Sequence, residues 1–171
     1  AVVLQSVWKW GELSRVRRGP LGVEGLNAAV EEALGAHGLI NHEEEWYHGR
    51  PVMVTANDYD LSLFNGDIGV TLKDPSTGRL RVWFPATGGA ARAFSPFTLP
   101  AHETVFAMTV HKSQGSEFET VLLALPAASE GRGITRELLY TALTRARNRL
   151  IVRASEESVR RGVISPTERN S

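Results

Sequence analysis

The segment "TVHKSQGSEF", residues 109 to 118, concentrates hydrogen-bonding side chains directly after an apolar stretch. Thr109 and His111 carry a hydroxyl and an imidazole that suit phosphate oxygens. Gly115 permits close approach of a ligand to the backbone, and the carboxylate of Glu117 can accept a hydrogen bond from a ribose hydroxyl. The same pattern is compatible with a polar loop whose side chains cap a helix, because short motifs often match by chance.

A second candidate lies in "LLYTALTRARNRLIV", where Arg145 falls beside Thr141 at the edge of an apolar helical stripe. A half-buried arginine is costly unless it meets an anion, and a guanidinium fits a terminal phosphate better than lysine does. Alternatively, a cation near a helix C-terminus stabilises the helix dipole, which is the role we favour for Arg147 and Arg149. The stripe itself consists of Leu138, Leu139, Ala142, Leu143 and Ala146.

The spacing of apolar residues changes twice along the chain, and the three resulting segments predict the elements that position these residues. Residues 1–49 have helical spacing, and the chain begins within what looks like a running helix, with Val7, Trp10 and Leu13 on one face. Residues 50–103 change to a period of two, which predicts a small β-barrel. Residues 104–171 alternate apolar strands with a helix, typical of a parallel sheet. The sequence thus predicts an α/β domain interrupted by an inserted barrel.

Specific strings define the expected elements. In the middle segment, "GDIGVTLKD" and "RLRVWFPA" predict strands joined by the turn "DPSTG". Farther on, "TVFAMTV", "VLLALP" and "RLIVRA" predict strands, and "TRELLYTALTRARN" predicts a helix between the last two. Because ligands of parallel sheets bind beyond the carboxyl ends of strands, the loop after "TVFAMTV" is expected to carry the site.

The amino-acid composition excludes several classes of function. Nineteen basic side chains balance nineteen acidic ones, so the protein is not a generally basic nucleic-acid binder, and there is no cysteine for disulfides, zinc clusters or thiol chemistry. The apolar run "VLLALPAA" is too short to cross a bilayer, and no secretory leader opens the chain. We expect a cytoplasmic protein without a membrane partner, and a piece of something longer.

Two motifs resemble a known family. "TVHKSQGSEF" and "YTALTRA" resemble the fifth and sixth motifs of superfamily 1 DNA helicases, in the same order. Three longer strings, "GPLGVEGLN", "GRPVMVTANDYDLSLFNGDIGV" and "HETVFAMTVHKSQGSEFETV", resemble the C-terminal part of the RecD family, the alpha chain of the RecBCD exodeoxyribonuclease V complex. The resemblance spans nearly the whole chain.

The resemblance implies a RecA-like motor domain interrupted by a Src-homology-3-like barrel, in an ATP-dependent 5′ to 3′ DNA helicase of double-strand-break repair and recombination. It implies that Arg145 is the catalytic arginine finger, and that Gly115 and Glu117 also bind the nucleotide. It places the barrel beside the DNA, where Asn57, Asp58 and Phe64 are candidate lining residues and Phe64 or Trp83 could stack on a base. The residues expected to bind single-stranded DNA are Asn65, Thr109, His111, Lys112, Ser113 and Gln114.

Other parts of a helicase motor are missing from these 171 residues. There is no GxxxxGK[ST] string and no acidic pair after a strand, since the "EEE" of residues 43–45 fits a solvated surface. ATP and Mg²⁺ are therefore expected in the full-length protein, none tightly bound to this piece, and the piece alone is expected not to hydrolyse ATP. His42, His48 and His102 lack metal-like spacing, so no metal site is predicted.

The resemblance also implies the partners: single-stranded DNA, the N-terminal motor domain of the same chain, and RecB-like and RecC-like subunits. Two alternatives remain open. The chain could be a docking module that binds a partner subunit, in which case Arg145 would pair with an internal carboxylate, or it could come from a stand-alone RecD-like helicase. For Asn65-Gly66, a simple hairpin turn is the alternative to a DNA contact.

Overall fold

The computed structural model describes residues 2–5, 22–41, 43–125 and 134–165. Two compact units divide the chain: a middle unit, Asn27–Val105, and a flanking unit that takes in the described residues on either side of it. None of the helices among these residues is long and apolar enough to span a membrane. In sequence, the boundary between the two units falls between Leu26 and Asn27, within helix α1, Val23–Ala36.

The middle unit is built on a five-stranded antiparallel sheet in the order β5-β4-β3-β2-β6. At the turn between β3 and β4, Asp74 accepts hydrogen bonds from Ser76 and Thr77, and those from Ser76 lower the pKa of the Asp74 carboxyl. The predicted strands around "DPSTG" are therefore confirmed, whereas the Src-homology-3-like barrel and the predicted domain boundaries stay predictions. The five strands are β2 Pro51–Val54, β3 Ile68–Lys73, β4 Leu80–Pro85, β5 Ala91–Phe94 and β6 His102–Thr104.

The core of the middle unit centres on the ring of Phe84, which is buried against Val52, Val54, Leu63 and Val82. Apolar burial of this kind is the main favourable term in folding. On β3 the buried residues are Gly69 and Thr71, whereas the larger apolar residues Ile68, Val70 and Leu72 are only partly buried. A Cβ at Gly69 would lie 2.9 Å from the Phe84 ring, so the missing side chain makes room for the aromatic one.

The flanking unit contains a four-stranded mixed sheet in the order β7-β1-β8-β9. Strands β8 and β9 are parallel, as the sequence predicts, but β1 runs antiparallel to both β7 and β8. The unit also contains two helices with N-terminal caps. The Thr135 hydroxyl accepts a hydrogen bond from the Leu138 N–H, and the Ser155 hydroxyl accepts one from the Ser158 N–H. The elements are β1 Val2–Gln5, β7 Ala107–Thr109, β8 Phe118–Ala124, α2 Arg136–Leu143, β9 Ala146–Arg153 and α3 Glu156–Ile164.

The helix predicted to reach residue 148 ends at Leu143, so Arg145 and Arg147 lie beyond its end. The N–H groups of Thr144 and Arg145 bond to carbonyls only two to four residues back, which tightens and closes the last turn. From Ala146 onward the backbone pairs with β8. The prediction that Ala146 and Arg147 lie on the helix was therefore wrong, because pairing with a neighbouring strand outweighs local helix propensity.

Two further local predictions were wrong. "TVFAMTV" is not one strand, because β6 ends at Thr104 and pairs with β2, whereas β7 begins at Ala107 and pairs with β1. The start of the chain is a strand, β1, where a helix was predicted, and its Val-Val-Leu sequence suits extended structure. The helical pattern of Val7, Trp10 and Leu13 lies outside the described residues.

Close packing of α3 against α2 predicts that Gly162→Ala destabilises the protein. A Cβ at Gly162 would lie 2.6 Å from Leu139 Cδ1 and 2.7 Å from Ile134 Cγ2, and both of these side chains are buried. Overpacking costs about 1–3 kcal/mol, more than the ~0.5–1 kcal/mol gained by removing a helical glycine. Urea denaturation measures the net loss. Gly22→Ala, with open space around its Cβ, is the control, and equal stability of both variants would contradict the packing.

Candidate functional site

The loop between β7 and β8, residues 110–117, is folded into consecutive turns and is called the polar loop below. Ser113 N–H donates to Thr109 O at 3.2 Å, and Ser116 N–H donates to Ser113 O at 3.1 Å. Gly115 has φ +83° and open space around it, so its backbone conformation, not crowding, favours glycine. The expectation that this segment is a loop following a strand is confirmed.

The polar loop has two buried side chains, Val110 and Ser113, and several that face solvent. Ser113 is fully buried, and its hydroxyl donates to Val110 O at 2.7 Å, so it anchors the loop. Thr109 Oγ1 accepts from the Lys112 N–H at 3.2 Å. The exposed residues of the loop are His111, Lys112, Gln114, Gly115 and Glu117. Among the loop residues predicted to contact DNA, Ser113 is the one whose side chain is fully buried.

Arg145 lies two residues beyond the end of α2 and is hydrogen-bonded to the polar loop. Its Nη1 donates to the carbonyl oxygen of Ser116 at 3.0 Å, and its Nε donates to that of Thr141 at 3.2 Å. Its Nη2 donates to the Thr144 hydroxyl at 3.2 Å. The backbone completes the connection, since Phe118 N–H donates to Arg145 O at 2.8 Å. Arg145 and the polar loop are thus in direct contact.

The surroundings of Arg145 fit a cation at a helix C-terminus as well as an anion site, because its bond to Thr141 O lies in the last turn of α2. The side chain is partly buried, and every acceptor it meets in the described residues is a neutral oxygen, with no carboxylate within 4.0 Å. None of these acceptors carries a full negative charge, and a guanidinium has more N–H donors than these three bonds use. Arg145 therefore retains the capacity to bind an anion, which a docking module with an internal ion pair would lack.

Arg147 forms an ion pair that the sequence did not reveal. Its Nε donates to Glu117 Oε2 at 2.9 Å, and the hydrogen bond and charge of Glu117 raise the pKa of the Arg147 guanidinium. Next to it, Asn148 donates to Glu119. Sequence reasoning missed this pair because it assigned Arg147 to a helix, whereas the parallel pairing of β8 and β9 brings the starts of both strands together.

Asn65, the remaining predicted DNA contact, lies in a well-organised loop of the middle unit. Its N–H donates to Asn57 Oδ1 at 2.9 Å, in a segment where Leu63 is fully buried. The loop exposes two aromatic rings, Tyr59 and Phe64, packed edge to face with centroids 5.9 Å apart. Tyr59 is 76% exposed and was not singled out from the sequence, although an aromatic residue between two aspartates was a usable signal.

The remaining candidate residues are Trp83 and three histidines. Trp83 is partly buried in β4, with its Nε1 enclosed, so it packs within the sheet. His48 Nδ1 accepts from the Lys73 N–H, and His102 bonds to Pro100 O. His42 lies outside the described residues. Within the part of the chain that the structure describes, no group of His, Asp and Glu side chains could hold a metal ion.

Comparison with known proteins identifies the family of this chain. Residues 104–152, which contain the polar loop and Arg145, match the UvrD-like helicase C-terminal domain. The RecBCD enzyme subunit RecD of Mycolicibacterium smegmatis is 44% identical over 147 residues, 86% of this chain and 25% of that protein. This chain is a homologue of RecD. The resemblance predicted from the sequence is confirmed, as is a helicase C-terminal domain of mixed α/β content.

Further RecD relatives extend the comparison. RecD of Haemophilus influenzae is 38% identical over 161 residues, 93% of this chain and 23% of that protein. The ATP-dependent RecD2 DNA helicase of Deinococcus radiodurans is 39% identical over 139 residues, 80% of this chain and 19% of that protein. This chain spans about a quarter or less of the length of these relatives. A crystal structure of Pif1 helicase from Bacteroides aligns with a TM-score of 0.45 at 18% identity, covering 67% of this chain and 31% of that one.

Proposed function

We propose that this chain is the C-terminal motor domain of an ATP-dependent 5′ to 3′ DNA helicase of the RecD type, acting in double-strand-break repair and recombination. The observation that carries the proposal is the contact between Arg145 and the polar loop at Ser116. Homology to RecD and RecD2 supports the reaction class. The proposal includes an inserted Src-homology-3-like barrel in the middle unit and a cytoplasmic location.

In this proposal Arg145 acts on the nucleotide. Its guanidinium would stabilise charge that develops on the γ-phosphate during hydrolysis, the role of an arginine finger. The absence of a carboxylate partner among the described residues fits that role, because an internal salt bridge would have to break first. The N-terminal motor domain of the same longer chain would hold the other phosphates and Mg²⁺, since this sequence has no P-loop.

The exposed side of the polar loop would bind single-stranded DNA. His111, Lys112 and Gln114 present an imidazole, an ammonium and an amide on one short turn, and Thr109 lies at its start. Such groups suit phosphate oxygens, which carry most of the affinity of nonspecific binding. In the middle unit, Asn65 with the exposed rings of Tyr59 and Phe64 would form a second contact by stacking on bases.

Coupling between DNA and nucleotide follows from the same contacts. Because Arg145 bonds to the carbonyl of Ser116, a displacement of the polar loop by DNA changes the position of the guanidinium. Nucleotide binding at Arg145 and Glu117 would act on the loop in return, since coupling between two ligands is reciprocal. One short segment would thereby connect hydrolysis to movement along DNA.

RecB-like and RecC-like subunits are proposed partners, on the strength of the relatives named as RecBCD subunits. The RecD2 relative is the reason to keep a stand-alone helicase as the alternative. A pure docking module is disfavoured by the surroundings of Arg145, which show no internal ion pair in the described residues.

Strand displacement by the full-length protein tests the proposal. We expect ATP-dependent unwinding of a duplex with a 5′ single-stranded overhang and little unwinding of one with a 3′ overhang. Residues 1–171 alone are expected to hydrolyse no ATP, because they contain no P-loop. Unwinding from the 3′ overhang only would contradict the polarity. ATP turnover by residues 1–171, abolished by Arg145→Ala, would contradict the division of the site between two domains.

A further inference from the structure

Arg145, immediately before β9, and Arg147, within it, contact consecutive residues at the end of the polar loop. Arg145 Nη1 donates to Ser116 O at 3.0 Å, and Arg147 Nε donates to Glu117 Oε2 at 2.9 Å. Between these contacts, Phe118 N–H donates to Arg145 O at 2.8 Å. The end of the loop is therefore connected to β9 through both backbone and side chains, and the orientation of Glu117 depends on Arg147.

The carboxylate of Glu117 is held at one oxygen only. Oε2 accepts the hydrogen bond from Arg147, while Oε1 has no partner in the described part of the chain. The Glu117 side chain is 52% exposed, so without Arg147 it would be free to occupy several rotamers. Fixing a side chain before its ligand arrives lowers the entropic cost of binding.

An ion pair this exposed contributes little to stability. The two side chains are 61% and 52% exposed, and solvent and salt screen their attraction. Loss of the Arg147 side chain should consequently leave the fold intact, so the pair is better explained by the orientation it imposes on Glu117.

We propose that Arg147 is a positioning residue for nucleotide binding, which orients Glu117 so that Oε1 accepts a hydrogen bond from a ribose hydroxyl. This inference rests on the proposed function and deepens it. Arg145 would serve the phosphate end of the nucleotide, and the Arg147–Glu117 pair the sugar end. A charged acceptor makes a stronger hydrogen bond than a neutral one, so the pair favours nucleotides that retain the hydroxyl donor.

Steady-state hydrolysis of ATP by the full-length protein, with single-stranded DNA present, tests the inference. Arg147→Ala is expected to raise KM about two- to fivefold with kcat unchanged, the scale of one exposed ion pair. Glu117→Ala should raise KM at least as much, and the double variant should equal Glu117→Ala, because Arg147 acts only through Glu117. Arg147→Lys should restore part of the loss. Arg149→Ala, an exposed arginine on the same strand, should match wild type.

A second substrate separates positioning from a general structural effect. We expect wild type to prefer ATP over 2′,3′-dideoxy-ATP in kcat/KM, and Arg147→Ala to lose part of that preference. If Arg147→Ala keeps both its KM and its preference, or adds its effect to that of Glu117→Ala, the inference is overturned while the proposed function stands. If the wild-type protein hydrolyses no ATP at all, the proposed function itself fails.

Discussion

Replacement of Arg145 by alanine is expected to lower kcat for DNA-stimulated ATP hydrolysis about 10³-fold or more, the scale of a lost arginine finger. The guanidinium lies at the junction of α2 and β9 with only neutral oxygens as partners in the described residues. Its charge is therefore available to a transition state that places negative charge on the transferred phosphoryl group. The assay compares wild type and variant in the full-length protein at fixed salt.

Two controls distinguish this effect from damage to the fold. Arg145→Lys retains the charge but not the planar donor geometry, so we expect it to recover little activity. Arg149→Ala removes an exposed arginine of β9 and is expected to leave turnover unchanged. Single-strand binding should survive in Arg145→Ala. Unchanged turnover in that variant would contradict the catalytic role and favour the docking module.

Leu63→Ala is expected to cost about 2–5 kcal/mol of unfolding free energy, the usual range for a buried leucine. Leu63 is fully buried in the core cluster with Phe84, and its backbone pairs with Asp58 at 2.7 and 2.9 Å. Truncation would leave a cavity beneath the loop that carries Tyr59 and Phe64. Urea denaturation followed by circular dichroism measures the loss.

Leu39→Ala provides the matched control, because Leu39 is 68% exposed and follows α1. Exposed substitutions of this kind change stability by about 0.5 kcal/mol or less. Similar stability losses in the two variants would contradict the assignment of Leu63 to the core.

Sequence patterns predicted the elements whose periodicity is local. The period of two in β3 and β4, the turn at Asp74 and the loop after β7 are all present. The face of β3 was harder to predict, because Gly69 and Thr71 are small or polar and yet occupy the buried side. The position of the Phe84 ring explains the glycine at position 69, and that ring belongs to the neighbouring strand β4.

The end of α2 and the role of Arg147 depend on contacts distant in sequence. "TRARN" has acceptable helix propensity, and nothing nearby in the sequence stops the helix at Leu143. Parallel pairing with β8 draws Ala146 into a strand and brings Arg147 to Glu117. Arg145 is partly buried, but it lies beyond the end of α2 and bonds to Ser116 of the polar loop, a contact that helical spacing does not predict.

The central claim is that this domain connects DNA binding to ATP hydrolysis through the polar loop and Arg145. The most direct test is the rate of ATP hydrolysis by the full-length protein, measured with and without single-stranded DNA at the same salt concentration. A clear rise in turnover with single-stranded DNA is the expected result. Turnover that does not respond to DNA, in protein shown to bind it, would contradict the claim.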